Sequence, residues 1–222
     1  MADKWVQKYL SESEITDISK AVQAVEQSTS GEIVPMIVHR SSAIRHVPVI
    51  LGLSFALLFL GVEMLGVGGW YLNDWMPFLL EHWGYQVLFL ILLMVLAWWL
   101  SHLQSVQRFL TSDQDEKDQV EKRAQLEFFL HRLNHTNKKT GILIFVSVME
   151  RRAVILADEG IAKVLPPQTW NEVLKPLMGQ LKKGSWSDGF QEAIKQTGGL
   201  LQTHFPSSTS ANELSNQLII KE

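Results

Sequence analysis

Four carboxylates, Glu32, Asp158, Glu159 and Asp188, are the residues of this chain whose types and positions could do chemistry. Glu32 opens a short apolar run, Asp158 and Glu159 close another, and Asp188 lies in the turn between Gly184 and Gly189. Carboxylates that converge at strand ends can take a hard divalent cation, Ca²⁺ or Mg²⁺, through oxygen. The competing reading is plainer: Asp188 caps a helix, and Glu32 and Glu159 are solvated charges. A second charged group, Glu150-Arg151-Arg152, forms a short connection in which Arg151 and Arg152 could hold a phosphate or an anionic lipid head group. Such turns are more commonly just hydrated.

Other chemistries are excluded by what the chain lacks. With no cysteine there is no disulfide, no thiolate zinc site and no cysteine nucleophile. His131 and His135 are four apart, but the polar run from Asn134 to Lys139 ends their helix between them, and no other histidines have metal spacing. No serine stands in a nucleophile elbow and no glycine-rich phosphate loop occurs, so no catalytic residue is assigned. A net charge of −3 lacks the basic face that a nucleic-acid partner calls for.

The elements that must position these groups follow from periodicity. Ser11-Glu12-Ser13-Glu14 has the form of a capping box, and Ile15, Ile18, Val22 and Val25 continue it as a helix over 12–27. Ile33 to Val38 is β-branched and apolar on both faces, a strand for a layered sheet, and Pro35 places it at an edge. A helix is expected from Asp113 to Asn134. Ile142 to Val148 is the clearest strand, followed after a hairpin-length connection by a strand over Ala153–Ala157. Two helices come next, one with Trp170, Val173, Leu177 and Leu181 inward and a stop at Lys182-Lys183-Gly184, the other over 188–202. A lone strand at Ile33–Val38 cannot persist, so it should pair with Ile142–Val148 through a crossover.

Two apolar runs, Val47–Leu65 and Tyr85–Leu100, interrupt that crossover, and each approaches the roughly 20 residues that span about 30 Å of hydrocarbon. They are read as a transmembrane hairpin. Arg40, Arg45 and Arg108 flank it, while the loop from Gly66 to Gly84 carries Asp74 and Glu81 and no Lys or Arg, which puts both termini and the folded domain in the cytoplasm. Trp70, Trp75, Trp83, Trp98 and Trp99 read as aromatic belts, and Glu63 as a residue reaching the far interface. The expected organisation is 1–45 as the first part of the domain, 46–104 as the hairpin with helices about 47–66 and 85–103, 110–206 as the second part, and 207–222 as a flexible tail. Leu214, Leu218 and Ile219 could give that tail a short docking helix.

Gly31-Glu32-Ile33, Thr140-Gly141-Ile142-Leu143-Ile144, Glu150-Arg151-Arg152, Ala157-Asp158-Glu159-Gly160-Ile161, Trp170, Gly184 with Gly189, Ala193-Ile194 and Phe205-Pro206 stand in an order and spacing that resembles the TPM domain, in the bacterial branch with a membrane hairpin after the first strand. The resemblance implies a small three-layer α/β sandwich, here interrupted by the two-helix transmembrane hairpin. It implies no single activity: weak phosphatase activity has been proposed for plant members, metal binding for others, and accessory roles for further ones.

The function expected is that of a two-span protein of the bacterial inner membrane whose cytoplasmic domain is an accessory or adaptor protein, in membrane-protein assembly or quality control. Its partners would be the lipid bilayer and a membrane protein, with no nucleic acid. The alternative is a divalent-metal-dependent phosphatase-like hydrolase using Ca²⁺ or Mg²⁺ on Glu32, Asp158, Glu159 and Asp188.

Overall fold

The computed structural model describes residues 4–41, 47–64, 83–103, 106, 112–136, 138–206 and 213–222. The chain divides into two units, Met1–Ser42 with Glu116–Glu222, and Ala43–Asp115.

The first unit is mixed α/β. Helix α1 (Glu12–Glu26) starts at the expected capping box, with Glu14 Oε2 accepting from Ser11 N at 2.7 Å and Ser11 Oγ accepting from Glu14 N at 3.4 Å. Strand β1 (Glu32–Val38) runs parallel to β2 (Gly141–Ser147) in the register Ile33↔Ile142 to Ile37↔Val146. Strand β3 (Arg152–Ala157) returns antiparallel to β2 as a hairpin. Both expected pairings are present.

A fourth strand, β4 (Ile219–Lys221), lies parallel to β1, giving the order β3-β2-β1-β4. This corrects two expectations. Residues 219–221 are a strand where a flexible tail or docking helix was expected, and β1 is central where Pro35 suggested an edge. Glu32 N donates to Thr140 O and Val38 O accepts from Val148 N, so the even-numbered residues of β1 bond to β2. Pro35 turns its missing N–H the other way, towards β4, which begins only opposite Met36. No ladder bond is lost.

The sheet buries both faces. Ile33, Ile37, Ile142, Ile144, Val146 and Ile155 join α1 and the helices α6 (Thr169–Lys183) and α7 (Trp186–His204) in one core. Val34, Met36, Val38, Leu143 and Phe145 meet Val120, Ala124 and Phe128 of α4 (Asp113–Leu130) in the other. The short helix α5 (Glu159–Ala162) follows β3. The arrangement is helices on both sides of one sheet.

The second unit holds helices α2 (Val47–Met64) and α3 (Trp83–Ser101), which pack on each other with the Phe59 and Phe89 rings 5.9 Å apart. Among the described residues no helix is long and apolar enough to cross a membrane. That finding overturns the transmembrane hairpin, the membrane character and the multi-pass inner-membrane location. Counting apolar residues overstated the reach. The apolar stretches run between Pro48 and Glu63, with Ser54 inside, and between Gln86 and Ser101, about 21 Å each along a helix axis against about 30 Å of hydrocarbon. Arg45, Arg108, Trp70, Trp75, Asp74, Glu81 and the side chains of Glu63 and Trp83 lie outside the described residues.

Candidate functional site

The candidate residues divide between the two ends of the sheet, which strands of this length hold about 20 Å apart. At the end where β1 and β2 begin, Glu32 is buried and its two oxygens accept from Glu213 N and Leu214 N at 3.3 Å each. Burial raises its carboxyl above the usual range. Asp158 caps α5, one oxygen accepting from Glu159 N at 2.7 Å, while its other oxygen is buried with no hydrogen-bond partner among the described residues. Glu32 and Asp158 flank Gly141, so two strand spacings, about 10 Å, separate their backbones. Glu159 is exposed and spent on Lys139 at 2.7 Å and Lys163 at 2.8 Å, and hydrogen bonds from those ammonium groups hold it down to about 2.

Asp188 does not join them. It lies in the first turn of α7 and opens onto a shallow surface with Ala21, Gln180, Gln191 and Glu192. Among the described residues no three His, Asp or Glu side chains gather as a metal-holding group.

The opposite end, where the parallel strands run out, is where open α/β sheets bind ligands. There Glu150 is buried and accepts from Ser41 N at 3.2 Å and from Ser147 Oγ at 2.5 Å, with Ser41 Oγ 2.8 Å from Ser147 Oγ. The carboxylate folded inward fixes the turn, which closes through Arg151 N donating to Val148 O at 3.2 Å. Arg151 takes φ +51°, in the left-handed region. Non-glycine residues adopt it at a cost and only where their surroundings dictate it. Its neighbour Arg152 turns back, with Nε 3.8 Å from Glu116. The two arginines read together in sequence therefore have different fates, one paired and one projecting outward.

Arg151 borders a groove of about 330 Å³ whose walls include Tyr9, Ser147, Met178, Lys182 and Trp186. Arg151 and Lys182 make no ion pair among the described residues. The Tyr9 and Trp186 rings meet at a tilt of 58° with centroids 4.7 Å apart, and Trp5 meets Tyr9 at 6.3 Å and His39 at 5.0 Å. Gly184, at φ +84°, ends α6 and lets the chain turn straight into α7. Ser185 makes no side-chain cap to α7, so that helix starts beside the groove with its first N–H groups uncapped by a side chain. Tyr9, Lys182 and Trp186 were not among the expected site residues. Lys182 read as a helix stop, and Tyr9 lies in a 3₁₀ segment (Val6–Lys8 and its cap) with no long periodicity.

Such a fold is a small α/β domain with an open groove at the carboxyl ends of its parallel strands. Residues 105–200 match the family model of the TPM domain. The whole chain is similar in fold to the NMR structure of BA42 protein from the psychrophilic bacterium Bizionia argentinensis, with a TM-score of 0.58, 19% identity, and 96% of this chain and 95% of that one covered. At that identity the likeness concerns the fold alone. No curated protein matches the chain. The TPM resemblance is thus supported over 105–200, and the membrane-hairpin branch has no support.

Proposed function

We propose that this protein is an accessory module that binds a small anionic ligand, carrying phosphate or carboxylate, in the groove at the carboxyl ends of β1 and β2. The observation that carries the reading is the pair of cations, Arg151 and Lys182, left without ion pairs among the described residues on the wall of an aromatic-sided groove. An unpaired guanidinium offers a planar fork that matches phosphate or carboxylate, and the start of α7 adds partial positive charge. The role in membrane-protein assembly is set aside, because it rested on two membrane spans.

Binding is favoured over hydrolysis by the state of the serine in the groove wall. Ser147 is fully buried, so its hydroxyl, although bonded to Glu150 and Ser41, has no exposed face for a ligand in the groove to reach. Isothermal titration with inorganic phosphate and with phenyl phosphate tests the reading. Both should bind, phenyl phosphate more tightly through Tyr9 and Trp186, and Arg151→Ala should weaken each at least tenfold. No binding by the wild-type chain, or turnover of phenyl phosphate that Arg151→Ala leaves intact, would overturn it.

A further inference from the structure

The sheet has two outer strands, and they are finished differently. β4 closes one edge with three residues, Lys221 among them. Brevity and lysine are two ways in which native sheets blunt an edge. β3, at the other edge, has six residues with no proline and no lysine, and its one charge is Arg152 at the start.

Asp158 N donates to Gly141 O at 2.9 Å. By alternation Arg152, Val154 and Leu156 turn their backbone groups to β2, and Ala153, Ile155 and Ala157 turn theirs outward. Among the described residues no backbone group outside β3 bonds to those three. A groove of about 320 Å³ lies alongside, walled by Lys117, Val120 and Glu121 of α4, Met178 of α6, and Arg151 to Val154. Helices α4 and α6 cover opposite faces of the sheet, so a groove touching both passes over the edge of β3. Its charge is one-sided. Lys117 and Arg151 make no ion pair among the described residues, and Glu121 is the single carboxylate of the wall.

We propose that this edge receives an extended acidic segment of another protein, which adds as a further strand along Ala153–Ala157 and sets its carboxylates on Lys117 and Arg151. Strand addition supplies affinity through main-chain hydrogen bonds and selectivity through side chains. An acidic segment is the complement of the two unpaired cations. The surface extends the accessory reading to a protein partner and, apart from Arg151, uses none of the small-anion groove.

The test is a fluorescein-labelled ten-residue peptide of alternating Val and Glu, titrated against the full chain and followed by anisotropy. A Val/Lys peptide and a Val/Glu peptide N-methylated at every residue, which leaves neither edge an N–H to donate, should both bind at least tenfold more weakly. Ala153→Pro removes an outward N–H and leaves the β2 ladder intact, so it should weaken the Val/Glu peptide at least tenfold with unchanged circular dichroism. Lys117→Glu should do the same. Should Ala153→Pro unfold the protein, the N-methylated peptide makes the same test from the ligand's side. Absence of binding, equal binding of the Val/Lys peptide, or indifference to both backbone blocks would overturn the proposal. Loss of peptide binding in Lys182→Ala would place the peptide in the other groove, which sinks the edge proposal and leaves the accessory reading standing.

Discussion

Gly141 shows how tightly single residues are specified where β2 begins. A Cβ there would fall 2.3 Å from the Leu133 carbonyl oxygen, which is backbone and cannot rotate away. Gly141→Ala should therefore cost about 1–3 kcal/mol or more, read as a lower urea midpoint. Gly179 in α6 is the control, since nothing lies within 4 Å of its Cβ position and alanine is the better helix former by about 1 kcal/mol. Gly179→Ala should raise the midpoint; a Gly141→Ala protein as stable as wild type would mean that the turn at Leu133 gives way freely. Sequence placed Gly141 at a strand opening. It had no means of showing which carbonyl would face it, because Leu133 arrives through a 3₁₀ turn.

At the scale of elements, the C-terminal segment is held down by carboxylates of α1, β1 and α4. Glu26 accepts from Ile33 N at 2.8 Å and lies 2.5 Å from Asn216 Nδ2, beside Glu32 with its bonds to Glu213 and Leu214. On the other face Glu127 meets Lys221 at 2.6 Å and Arg123 at 2.9 Å; burial alone would raise its carboxyl, but the two cations outweigh that and lower it. Glu26 goes the other way. Burial, reinforced by the charge of Glu32, pushes it up to about 8. Its folded pKa then lies above its unfolded value, so its contribution to stability is complete below the unfolded pKa and is lost as pH rises through 8. Urea unfolding should show stability falling by roughly 2–4 kcal/mol between pH 5 and 9, at about 1.4 kcal/mol per pKa unit. Glu26→Gln should flatten that fall, and parallel profiles for the two proteins would exonerate Glu26.

For the whole molecule, the division into two units has a direct consequence for folding. Neither core of the α/β unit contains a described residue of Ala43–Asp115. The β1-to-β2 connection needs α4 to cover one face of the sheet, and loop entropy changes only slowly with length. A chain in which residues 43–112 are replaced by a short Gly/Ser linker should therefore fold, with a cooperative urea transition and amide protection across β1 and β2. Loss of that transition would show that α2 and α3 contribute to the stability of the sheet.

What the sequence determined by itself is what neighbours along the chain decide. The capping box at Ser11, the stripe of α1, the apolar strands and the hairpin between β2 and β3 are set by residues two to four apart, and all are present. The parallel pairing of β1 with β2 was also legible, because apolar strands with buried backbone leave few other partners. Tertiary structure decided the rest. β4 has three residues and exists through the edge of β1, so no local pattern announced it. Pro35 sits in a central strand because strand alternation points its missing N–H ahead of β4. Glu32, Asp158, Glu159 and Asp188 were grouped by type, but type does not carry distance: β2 lies between Glu32 and Asp158, Lys139 and Lys163 claim Glu159, and the start of α7 carries Asp188 elsewhere. Arg151 stands in the left-handed turn and Arg152 opens β3, which ties Arg152 to Glu116 and leaves Arg151 at the groove. The apolar runs of α2 and α3 show the same limit: the helices lie within two residues of the expected bounds, yet neither is long and apolar enough to cross a membrane.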